Sequence, residues 1–370
     1  MIKCGGIQIK KNLLKLIAVS AMSIMLLGGC GNSSKSNADH SLKIGMVTGT
    51  GSIDDKSFNQ GNWEGLLEVK KELNLDEPKY LQPNGETEVD YLKEIGNLVD
   101  GGYNFVAAPG YKLESAIYAA QEKYPNTKFL LIDGVPTDST GNSKIADNTV
   151  AASFAEEQAG FLVGVTAALE AQEGKVGFIG GMKIPAVIRF ENGYTQGINY
   201  ANQYLNTNVS LNAEDIVYQG TFDDVAAGQQ LSAQMYDRGV KTVFACAGSV
   251  GNGVINEAKN RVNSGENVWV IGVDRDQYDD GIYADGKSVV LTSAVKKVDS
   301  ASYNVVKDIY NNEFKGGQNI IYDITKDAVG LPAENPNLSD EIVAKVNEIV
   351  QQMKDGKIVV SSEDTNLEVK

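Results

Sequence analysis

The chain has 370 residues, 42% hydrophobic and 22% charged, the balance of a soluble α/β protein and more chain than one ordinary core holds, so two domains are expected. A net charge of −15 excludes nucleic acid as a partner, because such affinity rests on Lys and Arg neutralising phosphates. The single histidine, His40, falls in a polar stretch, which excludes Ser-His and Cys-His couples and His metal clusters from the folded part.

At the N-terminus Lys3, Lys10, Lys11 and Lys15 precede the apolar run from Leu16 to Cys30. That run is shorter than the ~20 apolar residues a bilayer span needs, so residues 1–29 are expected to be a secretory signal. Leu27-Gly28-Gly29-Cys30 resembles the bacterial lipobox, which makes Cys30 the expected lipidated residue and residues 30–41 a flexible tether. The protein is then expected on the extracytoplasmic face of the cell membrane, held by lipid only. The leader carries four Lys and no Asp or Glu, so its loss takes the net charge from −15 to −19. Cys4 leaves with the leader and Cys246 stands alone in "VFACAG", expected to be a buried, inert thiol with no disulfide.

From Leu42 onward, apolar runs alternate with helical periodicity. Strands are expected at "KIGMV", "FVAA", "KFLLID", "KVGFIG", "DIVYQG", "TVFACA", "VWVIGVD" and "SVVLTS". Helices are expected over 57–73, 88–100, 225–239 and 339–354. Repeated β-α units imply parallel, doubly wound sheets, and this many units imply two of them side by side. The expected division is 42–150 plus 295–320 for one domain and 151–294 plus 321–360 for the other, with residues 143–154 read as a connector.

Ligands of open α/β sheets bind at the carboxyl ends of the strands. Six loops qualify: 49–56, 108–113, 133–136, 180–189, 248–253 and 274–277. In the first, Asp54, Asp55 or Ser57 serves to cap the helix that follows, and the acidic pair repels phosphate from the helix start. Phe58 lies on the same helical face as Leu66, Val69 and Leu73 and reads as core, leaving Trp63 as the more exposed ring. Phe190 occupies a matching place in the second half, where a ring is more often core than not, or, opposite one from the facing sheet, sandwiches a flat ligand. Asp274, directly after an apolar strand, reads as an acceptor for hydroxyls, with Lys296 or Lys297 beside it. Gly248 and its neighbours let backbone approach a ligand.

"VTGTGSIDDKSFNQGNWEGL", "FLLID", "VGFIGGMKIPAVIRFENGYTQG", "WVIGVDRDQY" and "LTSAVKKVD", in this order behind a lipobox, closely resemble the basic membrane protein family, purine-nucleoside-binding lipoproteins of ABC transporters. The resemblance runs from about Lys43 to about Ile321. It implies a type I periplasmic-binding-protein fold, two α/β domains joined by three crossovers with the ligand between them. It also implies base contacts from Asp54 or Asp55, stacking by Trp63 or Phe58 on one side and Phe190 on the other, and ribose held by Asp274 and Lys296. Gly248 and Ser249 match the backbone lining. One position departs from the pattern: Ser115 stands where many relatives carry an Asp or Asn that reads the base edge.

The leading expectation is therefore a monomeric, lipid-anchored solute receptor, without cofactor or metal. It captures a purine nucleoside and delivers it to an ABC permease and its ATPase. A sugar- or autoinducer-type ligand and a signalling role are alternatives on the same fold. A nucleoside hydrolase using the Asp pair is disfavoured, since that chemistry calls for a denser metal-binding cluster.

Overall fold

The computed structural model describes residues 42–49 and 51–370. The expected signal peptide, Cys30 and the tether to residue 41 lie outside these residues. Within them, β1 (Ile44–Val47), β2 (Lys79–Leu81), β3 (Phe105–Pro109), β4 (Lys128–Ile132) and β5 (Thr149–Phe154) build a first sheet. The chain then supplies β6 (Glu173–Gly180), β7 (Asn208–Tyr218), β8 (Val240–Cys246), β9 (Trp269–Asp274), a hairpin β10–β11 (Ile282–Ala284, Lys287–Ser288) and β12 (Val290–Lys296). Next β13 (Gln318–Tyr322) returns to the first sheet, and β14 (Val329–Gly330) joins the second. The orders are β13-β5-β4-β3-β1-β2 and β14-β12-β9-β8-β6-β7. Both sheets share one winding pattern, parallel throughout except where β14 runs against β12.

Each of the eight apolar runs read from the sequence falls on a strand; seven are buried between helices on both faces of a sheet, while "DIVYQG" belongs to β7, the half-exposed edge strand of the second sheet. The stretch read as a connector is different. Thr149–Phe154 is an interior strand, paired with β4 on one side and β13 on the other. The chain crosses between sheets three times: after Phe154, after Lys296 and after Tyr322. These strand ends fall slightly beyond the divisions at 150, 294 and 320 expected from sequence.

Helices α1 (Phe58–Leu73), α2 (Glu88–Asp100) and α3 (Glu114–Lys123) belong to the first sheet. The first crossing is made by α4 (Glu156–Ala171), followed by α5 (Pro185–Tyr204), α6 (Val225–Asp237) and α7 (Ser249–Asn263); α8 (Val298–Tyr310) follows the second crossing and α9 (Asp340–Lys354) the third. α4 is buried almost throughout, so its sequence is apolar on every side rather than striped. It packs backbone to backbone on α5. A Cβ added at Gly193 would lie 2.0 Å from the Glu157 carbonyl oxygen, and one at Gly164 would lie 2.3 Å from that of Tyr194. This approach brings Glu156, at the start of α4, against Arg189 on α5.

Candidate ligand-binding cleft

Between the two sheets lies a cleft of about 750 Å³, open mouth included. All six strand-end loops predicted from sequence contribute to it, through Asp55, Lys112, Asp133, Ile184, Gly248 and Asp274. Rings from both sides, Phe58 and Phe190, line it together.

Its polar centre is Lys296, 3% exposed at the end of β12. Its Nζ lies 2.5 Å from Asp133 Oδ2, 3.4 Å from Glu156 Oε1 and 3.8 Å from Asp274 Oδ1. The same nitrogen sits 4.9 Å from the ring centre of Phe58, 5.5 Å from that of Phe154 and 5.7 Å from that of Phe190. Burial alone would release its proton, but Asp133, Glu156 and Asp274 outweigh burial and hold the ammonium above its usual pKa. Arg189 Nε donates to the second oxygen of Glu156 at 2.6 Å, giving that fully buried carboxylate two cations. Burial pushes Asp274 up to about 6, against the opposing pull of Lys296 and of Ser57, whose Oγ donates to Asp274 Oδ2 at 2.5 Å.

Asp133 and Asp274 close β4 and β9, one in each sheet. Both have left-handed backbone, φ 58° and 68°, a conformation Asp tolerates better than most side chains. Each turn aims its carboxylate back at Lys296. Ionised carboxylates beside a buried ammonium offer directed acceptors and a donor to a molecule carrying hydroxyls, at a point screened from water.

Asp55 is the helix cap. Its two oxygens accept from the backbone N–H groups of Ser57 and Asn59 at 2.9 Å and Gln60 at 3.1 Å, and from the Asn59 side chain at 3.0 Å. Four donors fill the four lone-pair sites of a carboxylate. The cap turns the first residue of α1, Phe58, toward the cleft, although helical periodicity assigned that ring to the core. Trp63 points elsewhere, packing edge-on against Tyr80 with ring centres 5.3 Å apart.

A family model described as "ABC transporter substrate-binding protein PnrA-like" (Bmp) matches residues 42–364. The chain belongs to this family. It is 38% identical to a "CD4+ T-cell-stimulating antigen" of Listeria innocua over 95% of this chain and 98% of that one. It is 34% identical to the "ABC transporter nucleoside-binding protein BmpA" of Lactococcus lactis over 95% of this chain and 99% of the relative. A solved solute-binding protein from Aeropyrum pernix K1, 24% identical, superposes with a TM-score of 0.73 over 86% of this chain and 94% of its own. That likeness speaks for the fold, type I periplasmic-binding-protein. As a Bmp-family member the chain is a substrate-binding protein of an ABC transporter and not an enzyme. It acts outside the cytoplasm and works with a permease and its ATPase.

Of the residues singled out from sequence, the Bmp-family fold brings Asp55, Phe58, Phe190, Gly248, Asp274 and Lys296 to one cleft. Asp54 lies outside it, exposed and hydrogen-bonded to Ser52. Trp63, Ser115 and Ser249 are half-buried and do not line the cleft; Ser115 sits in the first turn of α3, and Ser249 opens α7 behind Gly248. Cys246 is buried at the cleft wall, where burial pushes its thiol well up. Sequence reasoning missed Asp133, Glu156 and Arg189. Asp133 carried a legible signal, since "KFLLID" ends in an acid as "VWVIGVD" does.

Proposed function

We propose that this protein captures a purine nucleoside between its two sheets and delivers it to the permease, held at the membrane by lipid on Cys30 and working as a monomer. The observation that carries the reading is the pairing, in one cleft, of two aromatic rings from opposite sides with a buried Lys296–Asp133–Asp274 group. The rings suit a flat base, whose stacking is worth roughly 1–3 kcal/mol per base. The carboxylates suit the vicinal hydroxyls of ribose. The relative named a nucleoside-binding protein supports this choice.

Asp55 has no acceptor site left for the base and works through the helix it caps. Tyr111 and Lys112, the other polar side chains of the lining outside the Asp55–Asn59 cap and the Lys296 group, are the contacts left to read the base edge. Asp55, Asp133, Glu156 and Asp274 outnumber Lys112, Lys296 and Arg189, and Lys112 is itself paired with Glu86, so the cleft stays acidic and a 5′-phosphate is repelled. Isothermal titration with inosine, guanosine and adenosine tests the reading, with inosine 5′-monophosphate and free ribose as comparisons. Micromolar or tighter binding of at least one nucleoside, with weaker binding of the nucleotide and of ribose, is expected. No heat with any of the three nucleosides would refute it.

A further inference from the structure

Three consecutive residues of the first loop are bonded to loops of the opposite sheet. The backbone carbonyl of Asp55 accepts from Asn252 Nδ2 at 3.2 Å, that of Lys56 accepts from Gln277 Nε2 at 3.0 Å, and Ser57 Oγ donates to Asp274. Lys56 has φ 58°, a left-handed turn uncommon for a long side chain, and its carbonyl meets the Gln277 amide across the cleft. The outer Lys56–Asp280 ion pair at 2.8 Å is half in solvent and contributes little.

Gln277 is 2% exposed and bonded at four points, one of them its backbone carbonyl, which accepts from the Gly281 N–H at 3.3 Å. Its backbone N–H donates to Ser293 Oγ at 3.1 Å, and its Oε1 accepts from the backbone N–H of Val273 at 2.9 Å. Its Nε2 is the group that reaches Lys56. Gly272 leaves room for it: a Cβ there would stand 2.6 Å from Gln277 Oε1. One side-chain amide therefore joins Val273, the lining residue before Asp274, to a carbonyl of the opposing loop, while Gln277 itself does not line the cleft.

We propose that Gln277 is a positioning residue for capture. Its amide fixes the end of β9, and with it the Asp274 carboxylate, to the first loop only when the two sheets meet. Closure and the seating of Asp274 are then one event. This rests on the reading that the solute sits against Asp274. Asn252 makes the second bond to the same loop from α7, without touching β9.

The test compares Gln277→Met, close in shape but without the amide's donor and acceptor, with Asn252→Ala in the full chain. Stopped-flow binding of inosine gives the rates, and small-angle X-ray scattering of ligand-free and inosine-saturated protein gives the degree of closure. Gln277→Met is expected to speed dissociation roughly three- to tenfold with association little changed: of the two side-chain bonds it removes, the one to Lys56 spans the cleft and is read in the off-rate, while the one to Val273 lies within the second sheet and is read in the melting temperature. Its radius of gyration should rise above wild type, and Asn252→Ala should show a smaller change in the same direction. Unchanged dissociation in Gln277→Met, or a lowered melting temperature as its sole effect, overturns the proposal. If wild-type protein ignores inosine, the nucleoside reading fails by itself. The ligand-free scattering then decides, since Gln277→Met and wild type of equal size would overturn the role of Gln277.

Discussion

Replacing Lys296 by Met removes the buried cation around which three carboxylates are gathered. Asp133, Glu156 and Asp274 lie 2.5, 3.4 and 3.8 Å from its Nζ, and among the described residues only Glu156 keeps another cation, Arg189. Breaking a buried charge group by deleting one partner costs about 3–5 kcal/mol, because the remaining charges stay desolvated. For a chain of this size the melting temperature should fall by roughly 5–10 °C at pH 8. The sign of the pH dependence follows from the carboxylates. Asp274 is already pushed up to about 6 with Lys296 present, and without it the group rises further. A carboxylate whose folded pKa exceeds its unfolded value binds more protons folded than unfolded between the two. Stability is therefore gained as pH falls through the folded value and lost as it rises. The deficit of Lys296→Met should be widest near pH 8 and narrow toward pH 5. Differential scanning calorimetry of both proteins at pH 5, 6.5 and 8 reads this directly. A deficit independent of pH, or none at all, would refute the electrostatic account.

Asp274→Asn relieves repulsion within the same group, so it should leave the melting temperature unchanged or raised while cutting inosine affinity at least tenfold by titration calorimetry. With Asp274 titrating near 6, wild-type affinity should hold from pH 8 to 7 and fall below 6, as the acceptor takes up a proton; flat affinity down to pH 5 would count against it. Phe58→Ala should lose roughly five- to hundredfold in affinity with little loss of stability, the range expected for one stacked ring, whereas Trp63→Ala should bind like wild type. Gly193→Ala forces a Cβ to within 2.0 Å of the Glu157 carbonyl, so α4 and α5 must part, and a loss of about 1–3 kcal/mol or more is expected in chemical denaturation.

The sheets were legible because parallel strands buried on both faces leave continuous apolar runs. β5 was not, since "TVAASF" uses small residues and follows a polar stretch, and β13, with three of its five residues exposed, resembles an edge. The cleft loops followed from the rule that strands end at the ligand, and each contributed. Which side chain turns inward was less legible. Periodicity gave Phe58 to the core and left Trp63 as the more exposed ring, whereas Phe58, just behind the Asp55 cap, also lines the cleft and Trp63 packs against Tyr80. Glu156 and Arg189 meet only because α4 and α5 touch backbone to backbone, and the signal for that contact was the pair of glycines four apart in each helix, Gly160 and Gly164 facing Gly193 and Gly197.

On the proposed reading, the position of Lys296 links the candidate site to the closure that would fill it. It ends β12, and the next residues form the second crossing between sheets, leading into α8. Asp133 comes from the first sheet and Asp274 from the second, so the ammonium is held by both sides of the cleft at once. Opening the cleft by a rotation that separates the two sheets must lengthen at least one of these pairs, and water then enters a group in which burial has raised Asp274 and Glu156. A solute that replaces that water with hydroxyls bonded to the carboxylates restores the dry arrangement. It gains affinity from charges already arranged in the folded protein, which need little ordering at the moment of capture. Left-handed backbone at both Asp133 and Asp274 is consistent with this, as strain accepted during folding to keep two acceptors fixed on one cation.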